Sequence, residues 1–143
     1  MDMLFILRDA LASSLIGGLL TALSASKAGL TVGVLITQEA LAAIAFGSFE
    51  WPRELSGQEM RLAMADRAAS VGVPVSGGRG EGRQLDAKAL VARAQEAGVV
   101  LYACPIWSSL LGLEGALPHG IRALDTAAFV GLLRDAKKVV GTL

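Results

Sequence analysis

Val99-Val100-Leu101-Tyr102-Ala103-Cys104-Pro105 is the stretch whose reading decides the fold. Five largely apolar residues run without a break and end at a cysteine followed by proline. A short continuous run of this kind suits a strand buried on both faces of a parallel sheet. Just upstream, Gly98 ends a helix predicted over Ala87–Ala97, with Asp86 as its N-cap. Just downstream, Pro105 suits the first turn of a helix, where its missing N–H costs nothing. A short helix is therefore expected over Ile106–Leu111. The strand thus delivers Cys104 to its own carboxyl end, where open α/β sheets hold ligand and catalytic groups.

The same grammar repeats outward from this stretch. Met3-Leu4-Phe5-Ile6-Leu7 is a second apolar run, stopped by Arg8-Asp9. A helix rich in Ala and Leu follows over Ala12–Ala28, ended by Gly29, and leads into a strand at Leu30–Ile36. Strand, helix, strand is a βαβ unit. Gly17-Gly18 lowers the helix propensity and implies a close approach to a neighbour. Thr37–Ala45 reads as a short helix, and Phe46–Leu55 as an irregular aromatic segment. Ser56 with Glu59 fits a capping box for a helix running to about Ser70. Val73–Val75 is a short extended piece, and the glycine-rich Ser76–Arg83 a mobile surface loop. A brief strand at Arg122–Leu124, a helix at Thr126–Asp135 capped by Asp125, and a last strand at Lys138–Leu143 complete the chain. The expected fold is α/β: one domain, residues 1–143, around a mainly parallel sheet of about five strands covered on both faces.

Composition narrows the function. Thirteen Lys+Arg balance thirteen Asp+Glu, and no basic stripe stands out, which argues against nucleic-acid binding. With 53% hydrophobic and only 18% charged residues, part of the surface is expected to be buried against another subunit. A single cysteine forms no internal disulfide, and no Cys/His cluster offers a metal site. A reducing, cytoplasmic setting is the expectation, with no cofactor. The apolar stretch Leu11–Ser26 is interrupted by Ser13, Ser14, Gly17 and Gly18, and Asp2 precedes it, so it reads as neither signal peptide nor membrane span.

Cys104 is the first candidate for chemistry. Backbone N–H groups and the positive end of a following helix would favour its thiolate. The alternative is a small buried hydrophobe, the usual fate of a free cysteine. Asp9 ends the first strand and faces the same sheet edge; it either serves the site or caps the next helix. Arg8 could hold an anionic sulfur species, and Trp107 lines the site or packs. His119, the only histidine, reads as an exposed turn residue rather than a base for Cys104. The Gly77–Gly82 loop lacks the lysine of a phosphate-binding loop. Phe46, Phe49 and Trp51 line a pocket or cover an interface. With no second cysteine, disulfide exchange within the chain is excluded.

Three parts of the chain together resemble the DsrE/DsrF-like family of small sulfur-handling proteins. One is the N-terminal strand, with Asp9 after it, leading into the Ala-rich helix that ends Lys27-Ala28-Gly29 before Leu30–Ile36. The most specific is Gly98–Leu113, with Cys104 after a strand and the turn Leu111-Gly112-Leu113 beyond it. The third is Thr126–Leu143, with the transition Ala136-Lys137-Lys138-Val139-Val140. The resemblance implies a three-layer α/β/α sandwich and a homo-oligomer, a trimer or hexamer. It also implies a sulfurtransferase or sulfur carrier that holds sulfane sulfur as a persulfide on Cys104 alone; Arg8, Asp9, Pro105 and Trp107 stay as site-lining candidates read from their positions. The expected partners are thiol or persulfide donor and acceptor proteins, without nucleic acid or membrane. Two other readings stand beside it: a non-enzymatic assembly subunit of a sulfur relay, or a small-ligand-binding module with the aromatic segment as its lid, each with a structural Cys104.

Overall fold

Every residue of the strand Val32–Ile36 is buried, and that strand stands at the centre of the sheet. In the computed structural model, residues 1–77 and 83–141 are described. The strands of the main sheet are β1 (Met3–Leu7), β2 (Val32–Ile36), β5 (Val100–Ala103), β6 (Ile121–Arg122) and β7 (Lys138–Val140). Their order is β6-β5-β2-β1-β7, and each neighbouring pair is parallel. Two further strands, β3 (Val75–Ser76) and β4 (Gln84–Leu85), form a separate antiparallel pair. The helices are α1 (Ala12–Lys27), α2 (Gln38–Phe46), α3 (Gln58–Val71), α4 (Ala87–Glu96), α5 (Pro105–Leu110) and α6 (Thr126–Asp135), with a 3-10 turn at Arg53–Leu55. The result is a three-layer α/β/α sandwich around a five-stranded parallel sheet.

Side chains alternate between the two faces of a strand, and here the two faces have unequal cover. Phe5, Leu7, Val34, Ile36, Leu101 and Ala103 meet Leu15, Leu19 and Ala22 of α1, Ala40 and Leu41 of α2, and Leu90 and Ala94 of α4 in the main core. Leu4, Leu35 and Cys104 point the other way. Partly buried residues cover them, among them Tyr102, Trp107, Leu124, Phe129, Leu132 and Leu133. The helix on that side, α6, has no fully buried residue.

Glycine sets the approach of α1 to the sheet. A Cβ added at Gly18 would lie 2.6 Å from Leu7 Cδ2, whereas one at Gly17 would meet nothing within 4 Å. Only Gly18 of the pair is there for contact. At the amino edge of the sheet Asp2 ties three strands together. Its carboxylate accepts Lys137 Nζ at 2.7 Å, and the Thr31 N–H and Oγ1 each at 2.8 Å. The Lys137 ammonium first, then the Thr31 donors, hold the Asp2 carboxyl well below the usual carboxylate range. Reciprocally, Asp2 raises the pKa of Lys137.

Several boundaries differ from expectation. Ser56 is not the N-cap of α3: Gly57 takes that place, and Ser56 Oγ donates to the Arg53 carbonyl within the 3-10 turn. The strand expected at Arg122–Leu124 is Ile121–Arg122, because a turn closed by Ile121 N–H to Pro118 O brings the chain into the sheet earlier. The short helix begins at Pro105 and ends at Leu110. Ser76, expected at the start of a loop over Ser76–Arg83, belongs instead to β3, paired with Gln84, and residues 78–82 of that expected loop lie outside the described residues. The last strand stops at Val140, with residues 142–143 also outside them.

Candidate functional site

Cys104 extends the pairing of β5 with β2 by one step, its N–H donating to the Ile36 carbonyl at 3.0 Å. It is the N-cap residue of α5, in extended backbone, with Pro105 in the first turn as expected. Ser108 N–H closes that turn on the Cys104 carbonyl at 2.8 Å. Since Ala103 faces the main core, Cys104 takes the opposite face, two residues on from Tyr102. The thiol therefore lies between the sheet and its thinner cover, packed with Leu4 and Leu35 and only 4% exposed. This cysteine sits where the sequence places it, but it is closed to solvent.

The companion residues divide. Trp107 is half-buried and packs against both cores, straddling the sheet edge beside the cysteine. Register aligns Leu7 with Ile36 and Ile36 with Ala103. Arg8 is thus level with Cys104 but two strand spacings away, about 9–10 Å along the sheet. The Arg8 side chain is exposed, and its carbonyl accepts Ala40 N–H at 3.0 Å. Asp9 is not the cap residue of α1, a place that Leu11 takes; its carboxylate instead braces the turn before the helix, accepting Leu11 N–H at 3.0 Å and the buried Ser14 Oγ at 3.1 Å. His119 is exposed and precedes β6, at the amino edge of the sheet, opposite the edge that carries Cys104.

The sequence gives no sign of Gln38. It begins α2 with φ at +53°, a left-handed conformation that side chains other than glycine's seldom adopt. It lies two residues past Ile36, the residue that bonds to Cys104, so the strained position and the cysteine share one edge. A hollow of about 620 Å³ opens beside α5, lined by Pro105, Ile106, Ser109, Glu114, Leu124 and Asp125 among others. Cys104 is not part of its wall. Among the described residues no group of three or more His, Cys, Asp or Glu side chains is placed to hold a metal ion.

This geometry defines a class: a three-layer α/β/α protein with one cysteine at the carboxyl edge of a parallel sheet. No family profile matches the sequence, and no curated protein does. Among solved structures the chain is similar to the YchN protein from E. coli, with a TM-score of 0.59, 14% identity and 99% of each chain covered. The likeness shows a fold like that of YchN. No helix among the described residues is long and apolar enough to cross a membrane.

Proposed function

We propose that this chain is a cytoplasmic sulfur carrier of the sulfurtransferase type, working through Cys104 alone. The Cys104 thiolate attacks the outer sulfur of a donor persulfide, R–S–SH. The donor's S–S bond breaks, a new S–S bond forms on Cys104, and R–S⁻ leaves as a thiolate. An acceptor thiolate then takes the outer sulfur by the same exchange, so no external oxidant or cofactor enters. The observation that carries this reading is the position of Cys104, one step beyond a central strand at the carboxyl edge, in a fold like that of YchN. Trp107 and Pro105 flank the thiol, and Arg8 is an exposed cation level with it but two strands away. Donor and acceptor are thiol or persulfide proteins, and the chain acts as a homo-oligomer, a trimer or hexamer.

Burial sets the condition under which this chemistry runs. A thiol 4% exposed reacts only while the cover formed by α6 and the Leu124 segment is open. The same burial favours a second reading, a non-enzymatic assembly subunit in which Cys104 only packs. Incubation with a persulfide donor, followed by mass spectrometry of the intact protein, separates them. Sulfur carriage predicts a gain of one sulfur atom, reversed by an acceptor thiol and absent from Cys104→Ser. No gain, or a gain that survives the substitution, overturns it.

A further inference from the structure

The aromatic segment that follows α2 builds a second hollow at the carboxyl edge, on the side of α1 and α4. Glu50 pairs with the start of α1: Ala12 N–H donates to Glu50 O at 2.7 Å, and Glu50 N–H to Ala10 O at 2.9 Å. This isolated parallel bridge holds residues 48–51 across the first turn of α1. Facing them are the hairpin residues Ser76 and Gln84 and the first turn of α4. Between lies a hollow of about 310 Å³, walled by Phe49 and Trp51, with Ala12 and Ala87 among its lining and Lys88 at its rim. Its volume falls at the lower end of small-molecule sites.

The two aromatic walls differ. Phe49 and Ala87 pack against the main core and are fixed from behind. Trp51 is half-buried, yet among the described residues it packs against neither core. Ala12 and Ala87, with small side chains, also line the hollow. Lys88 is exposed and has no ion-pair partner among the described residues. Among the described residues the carboxylate in the wall is Asp86, whose Oδ1 already accepts Ala89 N–H at 2.9 Å. That cap leaves the first-turn amides of Ala87 and Lys88 on the wall as donors.

We infer that this hollow binds a small planar aromatic carboxylate. The ring lies between Phe49 and Trp51, and the carboxylate meets the Lys88 ammonium with the Ser48, Ser76 or Gln84 side chains as further donors. Stacking supplies contact area, and the cation selects acids over neutral rings of the same shape. This site shares no residue with Cys104 and stands or falls apart from sulfur carriage.

The probe is 2-naphthoate, titrated into the full chain by calorimetry and followed by NMR on the two tryptophan indole N–H signals, assigned with Trp107→Phe. The expected result is saturable binding that shifts the Trp51 signal and leaves Trp107 in place. Lys88→Gln weakens that binding about tenfold, the loss expected for one charge-assisted hydrogen bond. The neutral 2-naphthalenemethanol binds the wild type about as weakly as 2-naphthoate binds Lys88→Gln, and Cys104→Ser binds 2-naphthoate unchanged. Absence of saturable binding, equal shifts of both indoles, or an affinity indifferent to Lys88→Gln would overturn the inference.

Discussion

The two faces of the sheet are built from similar strand residues and end in opposite conditions. On one face, three helices bury Phe5, Val34 and Leu101 almost completely. On the other, Leu4, Leu35 and Cys104 are just as inaccessible, but their cover consists of side chains that are themselves half-exposed. Burial of a residue and firmness of what buries it are separate properties. A thick layer opens only with the whole fold, whereas a thin one can open by itself. The reactive candidate lies under the thin layer.

The contrast can be broken most directly by truncation on each side. Phe5→Ala empties the thick core and should cost about 3–5 kcal/mol, while Leu132→Ala on α6 removes a partly exposed side chain and should cost about 1–2 kcal/mol. Urea unfolding of both variants checks this, and equal losses would mean that the faces are equally firm.

The adjacent glycines of α1 give a smaller and opposite-signed pair. Gly18→Ala pushes a methyl into Leu7, itself 3% exposed, and should cost about 1–3 kcal/mol. Gly17→Ala meets open space and should gain about 0.5–1 kcal/mol from helix propensity. Thermal midpoints that move in the same direction would contradict the packing described for α1.

The smallest effect concerns the Asp2–Lys137 clasp, which anchors the chain just after α6. Because the folded pKa of Asp2 is lowered, its contribution is present above the ordinary carboxylate value of about 4 and fades as pH falls below it. The raised pKa of Lys137 acts in the reverse sense, with stability present below about 10 and fading as pH rises through the folded value. Hydrogen exchange should therefore show α6 losing protection below about pH 4 before α1 does, and Asp2→Asn should abolish that difference.

Much of this architecture is legible in the chain. The runs Met3–Leu7 and Val100–Ala103 are strands in which no charged residue interrupts the pattern, and Asp86 and Asp125 cap their helices through Ala89 and Ala128 as their positions suggest. Local signals fail where a neighbour competes. Ser56 has the right spacing to Glu59, but the 3-10 turn claims its hydroxyl for Arg53. The sequence leaves open whether Cys104 is buried, since much of its cover, Leu124 and Phe129 to Ala136, comes from later in the chain to join Tyr102 and Trp107. The aromatic hollow is legible in part: the sequence marks Phe49 and Trp51 as pocket or interface residues, but not the facing wall from Ser76 and residues 84–88. The left-handed Gln38 carries no residue-type signal at all.

The most direct test of a thinly covered, functional thiol is the rate at which a disulfide reagent modifies Cys104 across low urea concentrations. Opening of the α6 cover alone predicts a rate nearly independent of urea, well above that set by global unfolding, and a further rise in Leu132→Ala. A rate that follows the full unfolding slope down to zero urea would contradict it and leave Cys104 as a packing residue.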